Sequence, residues 1–208
     1  MINISLANAK SNSVTIALRS ARYGNIIAHI SWRLILLPSK LSMLAGSSIY
    51  HESRAQRLRY WILLIIAYFL LVNGRYLPPP LDTRVIPHAE MIAWAGVILC
   101  VAGLAFALLA RATLGRNWSG AVTLKEGHEL IERGPYRLVR HPIYTGLLAM
   151  YLATVMVLGH VRGVIGALLV FVSFWIKLSQ EEKLMLRHFP DQYAAYQQRV
   201  KRIIPLVL

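Results

Sequence analysis

The residues best suited to chemistry lie in one short block, residues 134–146, which reads GPYRLVRHPIYTG. Pro142 is predicted to take the first position of a helix, where a missing N–H costs nothing. The first turn of that helix presents N–H groups and the positive end of the helix dipole, and Arg140 beside it can bind a carboxylate or phosphate through two hydrogen bonds. The block therefore predicts an anion site. Arg and Tyr also anchor proteins at lipid headgroups, and the residues alone leave both interpretations open.

Two adjacent carboxylates, Glu181 and Glu182, form a second cluster one helical turn after Lys177. Carboxylates at the end of an apolar span are costly near hydrocarbon and usually have partners. An internal partner is available, because Lys177 and Glu181 have the four-residue spacing of a helical ion pair. The other interpretation is a ligand with an ammonium group near the glutamates and a carboxylate near Arg140. Such a ligand would bridge the two clusters.

The composition narrows the classes of function. The 208 residues are 56% hydrophobic and 15% charged, which is too apolar for an ordinary soluble domain. The net charge of +14 comes from basic residues shared among loops between apolar runs, so we predict no nucleic-acid partner. Cys100 is the single cysteine, and the sequence contains neither an HExxH motif nor a Gly-rich dinucleotide loop. We therefore predict no metal site.

Apolar segments must position these clusters, and a transmembrane helix needs about twenty mostly apolar residues. Four segments come close to this length: 60–77, 89–110, 142–159 and 163–178. A weaker candidate, 26–45, contains charged residues and Pro38. We interpret it as a broken span slightly in preference to a helix lying at the membrane interface. We predict an all-α, polytopic membrane helix bundle of four to five transmembrane helices.

The loops predict the orientation of the bundle. Lys and Arg are frequent before the segment 60–77, in the central loop between the segments 89–110 and 142–159, and in the C-terminal tail. They are sparse in the other loops. The positive-inside bias then places the central loop and the tail in the cytoplasm. Because the turn at 159–163 is short, the last two spans are antiparallel neighbours and bring both polar clusters to the same surface. The tail predicts an amphipathic helix that restarts at Pro190.

At these residues the chain resembles the isoprenylcysteine carboxyl methyltransferase family and its bacterial relatives, which are integral membrane enzymes dependent on S-adenosylmethionine. The first part of the resemblance runs from His128-Glu129-Leu130 through Gly134-Pro135-Tyr136 to residues 140–146. The second comprises Glu181, Glu182, Leu184 or Leu186, Phe189, Tyr193, Tyr196, Val200 and Pro205. Phospholipid methyltransferases and sterol-type reductases share the Arg-His-Pro-x-Tyr element, but both parts together, separated by a helical hairpin, are more specific.

The resemblance implies an S-adenosylmethionine site in the cytoplasm, formed by the central loop and the C-terminal helix. Its implied cofactor-binding residues are His128, Leu130, Gly134, Tyr136, Arg140, His141, Tyr144, Glu181 and Glu182. The cofactor carboxylate would lie near Arg140 and its amino group near Glu181 or Glu182. The implied catalytic residues are Arg140, Lys177 and Glu181. Residues 1–112 would form N-terminal membrane helices and residues 113–208 the catalytic region, in a multi-pass protein of a bacterial inner membrane.

The resemblance further implies methyl transfer to a lipophilic acceptor from the bilayer, for which a prenylcysteine-like carboxylate is one candidate. A carboxylate is ionised at neutral pH and needs no general base, so the protein would act by aligning the reactants and excluding water. Lys177 departs from the Arg usual in the eukaryotic enzymes and lacks the planar fork that matches a carboxylate, which leaves the acceptor open. A sterol-type reductase using NADPH and a non-catalytic membrane scaffold remain as alternatives.

Overall fold

The computed structural model describes residues 48–73, 76–118, 122–125 and 129–205. The predicted segment 26–45 lies outside the described residues. Within them, the chain forms five α-helices and two short strands. In chain order these elements are β1 (Ser48–His51), α1 (Arg54–Val72), α2 (Glu90–Leu114), β2 (Thr123–Lys125), α3 (Pro142–Leu158), α4 (Val161–His188) and α5 (Pro190–Arg199).

Three of the helices, α1, α2 and α4, are long and apolar enough to cross a membrane, with mean hydropathies of 1.5, 2.5 and 1.9. The apolar helix α3 is shorter, at 17 residues. All four predicted apolar helices are therefore present. On α2 the outward face is exposed and apolar, with Met91 84% and Ile98 67% exposed. Such a face is stable against lipid, and the chain is an integral membrane protein.

Helices α1 and α4 differ most in extent from the prediction. Helix α1 begins at Arg54 because Ser53 and Gln56 form a capping box, and it ends at Val72, before residue 77. Helix α4 continues to His188, well past residue 178. The residues between 178 and Pro190 are mostly strong helix formers, so nothing ends the helix before the proline. Glu181 and Glu182 thus lie inside α4 rather than beyond its end.

Close backbone contact joins α2 to α3, while α1 lies along α4 and α3 packs antiparallel to α4. A Cβ added to Gly103 would lie only 2.7 Å from the carbonyl oxygen of Gly146 and 3.0 Å from Ala149. Ala153 approaches α2 in the same way at Gly96. Small residues of α3, namely Gly146, Ala149 and Ala153, therefore face α2 and let the two backbones approach closely.

The two ends of the bundle are closed differently. At the hairpin end, Arg162 donates to Asp82 at 2.9 Å and to the Leu71 carbonyl at 2.8 Å, which ties the start of α4 to the end of α1. At the other end, β1 pairs antiparallel with β2, a short ribbon that the all-α prediction did not include. The C-terminal tail also runs past the start of α3, where the Arg140 N–H donates to the Lys201 carbonyl at 2.8 Å.

Candidate active site

A buried carboxylate, Glu182, connects the elements at the ribbon end of the bundle. Arg140 contacts its Oε1 through Nε at 3.0 Å and through Nη2 at 2.9 Å, and Nε2 of His141 lies 3.0 Å from the same oxygen. Its Oε2 accepts from Arg202 at 2.6 Å and from Gln197 at 3.3 Å. Glu182 therefore joins α4 to the start of α3, to α5 and to the tail. A buried charge needs partners of this kind.

The guanidinium of Arg140 is largely occupied inside the protein. Besides Glu182, its Nη1 donates to the carbonyls of Gln197 and Val200. Four of its five N–H donors are thereby used, which leaves one on Nη2 among the described contacts. The arginine predicted to bind an external carboxylate thus has an internal carboxylate as its main partner.

The neighbouring carboxylate, Glu181, has different surroundings. Its Oε1 accepts from the Tyr144 hydroxyl at 2.6 Å, and its Oε2 lies 3.7 Å from Nδ1 of His141. The side chain of Glu181 is 24% exposed, whereas that of Glu182 is 7% exposed. The His141 ring therefore lies between a buried carboxylate and an accessible one.

A cavity of about 200 Å³ opens on the accessible carboxylate. One end has polar and aromatic walls: Asn117, Trp118, Glu129, Tyr136, Arg140, His141, Glu181, Tyr193 and Tyr196. The other end lies within the helix bundle and is mainly apolar: Tyr60, Trp61, Leu64, Ile143, Leu147 and Phe174. Phe174, Lys177 and Glu181 follow one another along α4 at about one turn, so Lys177 stands between the two ends.

Two tyrosine rings face the ammonium group of Lys177. Its Nζ lies 5.3 Å from the ring centre of Tyr60 and 5.6 Å from that of Tyr144, within the range of a cation–π interaction. The Tyr144 ring also makes an edge contact with Phe174, at 5.0 Å between ring centres. The cation is therefore held between aromatic groups at the boundary of the polar and apolar ends.

Tyrosines of the central loop and α5 build the aromatic wall. The Tyr196 hydroxyl donates to the Tyr136 carbonyl at 2.6 Å, and the Tyr193 and Tyr196 rings meet edge to face. Burial raises the pKa of the Tyr136 and Tyr196 phenols above the ordinary value. Both phenols are therefore neutral at physiological pH and act as hydrogen-bond groups and flat apolar surfaces.

Comparison with known proteins finds one matching family and several similar proteins. A family described as phospholipid methyltransferase matches residues 91–192, from the start of α2 into α5, and so includes both polar clusters. Protein-S-isoprenylcysteine O-methyltransferase A of Arabidopsis thaliana is 32% identical over 115 residues, 54% of this chain and 58% of that protein. The Rattus norvegicus protein-S-isoprenylcysteine O-methyltransferase is 29% identical over 127 residues, 58% of this chain and 45% of that protein.

The chain is thus similar to isoprenylcysteine carboxyl methyltransferases over about half of its length. It spans about half the length of the curated relatives it matches. A solved eukaryotic intramembrane Ras methyltransferase, an isoprenylcysteine carboxyl methyltransferase, aligns at a TM-score of 0.50 over 76% of this chain and 55% of that one. At 21% identity this likeness concerns the fold. These similarities do not favour the reductase alternative.

Most of the site residues implied by the family resemblance meet at the cavity. Those that line it are Leu130, Tyr136, Arg140, His141, Tyr144, Lys177 and Glu181. Glu182 lies behind the lining, and Gly134 begins a turn of 3-10 helix with a φ of 60°. His128 lies outside the described residues. Which of these residues contact a cofactor stays a prediction.

Helix α1 supplies cavity residues that sequence reasoning missed, namely Tyr60, Trp61 and Leu64. They lie outside the region that matches the family. The available signal was an aromatic pair near the end of an apolar span, but aromatic residues at that position are common anchors. Among the described residues, no group of three or more His, Cys, Asp and Glu side chains could hold a metal ion.

Proposed function

We propose that this protein transfers the methyl group of S-adenosylmethionine to a carboxylate on a lipophilic acceptor. The main support is the shape and chemistry of one cavity, whose acidic, aromatic end is joined to an apolar end with Lys177 between them. The names of the relatives support the same reaction class.

The residues present fit the chemical groups of S-adenosylmethionine, which carries two cationic groups, a carboxylate and a planar purine. The lining offers carboxylates at Glu129 and Glu181 for the cations, and flat faces at Tyr136 and Tyr193 for the purine. We assign the ammonium contact to Glu181, because Glu182 already accepts from four side chains. Arg140 has one remaining N–H for the cofactor carboxylate and otherwise holds Glu182 and the tail in place.

When bound, the cofactor supplies an electrophilic methyl group on sulfur. That methyl group would be supplied to the acceptor carboxylate, and the product would be a methyl ester. Lys177 neutralises the acceptor carboxylate during its approach, and the apolar end, including Leu64 and Phe174, holds the hydrocarbon chain. No residue needs to remove a proton. The protein contributes alignment and a site shielded from water.

A cationic acceptor fits this arrangement less well than an anionic one. A protonated amine held beside Lys177 would meet a like charge, which disfavours its approach. We therefore propose an ester product rather than an N-methyl product. We also propose that residues 113–208 supply the cofactor end of the site, that helix α1 from residues 1–112 completes the acceptor end, and that the cofactor end faces the cytoplasm.

The test is to incubate membranes that contain the protein with methyl-labelled S-adenosylmethionine and an N-acetylated S-prenylcysteine. Label should enter the organic extract and be released by mild base, as expected for a methyl ester. Base-stable label in a lipid would contradict the carboxylate acceptor while preserving methyl transfer. Absence of label above that of membranes lacking the protein would contradict the proposed function.

A further inference from the structure

A buried carboxylate lies just before α1 and outside the region that matches the family. The Glu52 side chain is 1% exposed, and its Oε1 accepts from the Tyr60 hydroxyl at 2.6 Å and from Nε of Arg57 at 3.2 Å. Within the described part of the chain, its Oε2 is buried and has no hydrogen-bond partner. A half-satisfied buried carboxylate is costly for stability, which favours a functional reason for its presence.

The local backbone fixes this carboxylate firmly. The Glu52 N–H donates to the Val122 carbonyl at 3.3 Å, which extends the pairing of β1 with β2 by one residue. Ser53 then begins α1 through its capping box with Gln56. The backbone of Glu52 is therefore fixed by a strand pair on one side and a capped helix on the other, and this limits the positions that its carboxylate can take.

The phenol that Glu52 accepts from belongs to one of the two rings facing Lys177. Tyr60 is 2% exposed, and its carbonyl accepts from Ser173 at 2.8 Å, one turn before Lys177 on α4. The second ring, that of Tyr144, is held in the same way by Glu181 at 2.6 Å. Lys177 thus lies between two tyrosines, each anchored by its own carboxylate. One anchor, Glu181, lies at the cofactor end, and the other, Glu52, lies just before α1.

We propose that Glu52 and Tyr60 are positioning residues that fix the Lys177 ammonium group for the acceptor carboxylate. This inference rests on the proposed function. A charge-assisted hydrogen bond from the phenol locks the Tyr60 ring and increases its electron density, which strengthens its attraction for the ammonium group. The Glu52–Tyr60 pair then affects binding of the acceptor, whereas the Glu181–Tyr144 pair affects binding of the cofactor.

The two matched variants Tyr60→Phe and Tyr144→Phe each keep the ring and lose the hydroxyl. Tyr60→Phe should raise KM for an N-acetylated S-prenylcysteine about tenfold and leave the Kd for S-adenosylmethionine within about twofold, as expected for one lost charged hydrogen bond. Tyr144→Phe should instead raise the Kd for S-adenosylmethionine by at least about threefold. Glu52→Gln, which keeps the acceptor oxygen but removes the charge, should reproduce the Tyr60→Phe pattern more weakly.

Tyr68→Phe is the control, because Tyr68 lies two turns along α1 and does not line the cavity. Both constants should stay within about twofold of wild type. Equal changes of both constants in Tyr60→Phe, or an unchanged KM for the acceptor, would overturn the inference while wild-type activity upholds the proposed function. Wild-type protein that neither binds S-adenosylmethionine nor methylates the acceptor would contradict the proposed function and, with it, the inference.

Discussion

The adjacent carboxylates Glu181 and Glu182 should respond differently to the same substitution. Glu182 is 7% exposed and contacts Arg140, His141, Gln197 and Arg202. Glu181 is 24% exposed, accepts one short hydrogen bond from Tyr144 and lines the cavity. We expect Glu182→Gln to lower stability and Glu181→Gln to lower cofactor affinity.

The contacts set the size of each effect. Removing the charge of Glu182 leaves two arginines without their anionic partner, and breaking a buried pair in this way costs about 3–5 kcal/mol. For a chain of this size that lowers Tm by roughly 6–20 °C. Glu181→Gln weakens one hydrogen bond, which costs about 1 kcal/mol and roughly 2–4 °C. If Glu181 binds the cofactor ammonium group, losing the charge also costs about 1.5–3 kcal/mol of binding free energy. The Kd for S-adenosylmethionine then rises on the order of tenfold or more.

The assay pairs thermal unfolding in detergent with calorimetric titration of S-adenosylmethionine at a temperature at which both variants are folded. Wild-type protein gives the reference Tm and Kd. The control is Glu132→Gln, which removes the charge of an exposed carboxylate paired with Arg199 at 2.8 Å and should leave both values close to wild type. Equal losses of Tm in the two variants, or a loss of affinity confined to Glu182→Gln, would refute the assignment of Glu181 to the ligand and Glu182 to the structure.

Three further predictions concern the bundle. Gly146→Ala should lower the free energy of unfolding by about 1–3 kcal/mol, because its Cβ would press on the Gly103 carbonyl; an unchanged Tm would contradict the close helix contact. Arg162→Met should lower Tm without changing cofactor affinity, because its contact with Asp82 lies at the far end of the bundle; a changed Kd would contradict this separation. Burial, together with Arg162, lowers the pKa of His160. The contribution of neutral His160 to the free energy of unfolding should therefore be fully present above a pH of about 6.5 and decrease as the pH falls below that value. His160→Gln should reduce that fall in Tm between pH 7.5 and 5.5, and an equal fall in both proteins would contradict the pKa shift.

The positions of the helices and the meeting of the two polar clusters could be predicted from the sequence. Apolar length identified four helices, and Pro142 correctly predicted the first residue of α3. The short turn before α4 required antiparallel helices, which brings Tyr144 to Glu181 and His141 to Glu182. These features depend on local signals, namely hydrophobicity, proline and loop length, which a single sequence carries.

The partners of each charge could not be predicted in the same way. The sequence places Arg140 near both glutamates, but the orientation of the α4 face decides that Glu182 turns inward and Glu181 turns to the cavity. The tail supplies Arg202 and backbone carbonyls that complete the charge cluster, and no local pattern reports that contact. The position of Tyr60 in the cavity wall could not be predicted for a similar reason, because an aromatic residue near the end of a span fits an interfacial anchor equally well.

The most direct test of the central claim is calorimetric titration of the purified wild-type protein, in lipid nanodiscs, with S-adenosylmethionine and with its demethylated product. We predict saturable binding of each at one molecule per chain, with NADPH producing no comparable heat and Glu181→Gln weakening both at least about tenfold. Absence of binding by a folded protein, or equal affinity in wild type and Glu181→Gln, would contradict a cofactor site at this cavity.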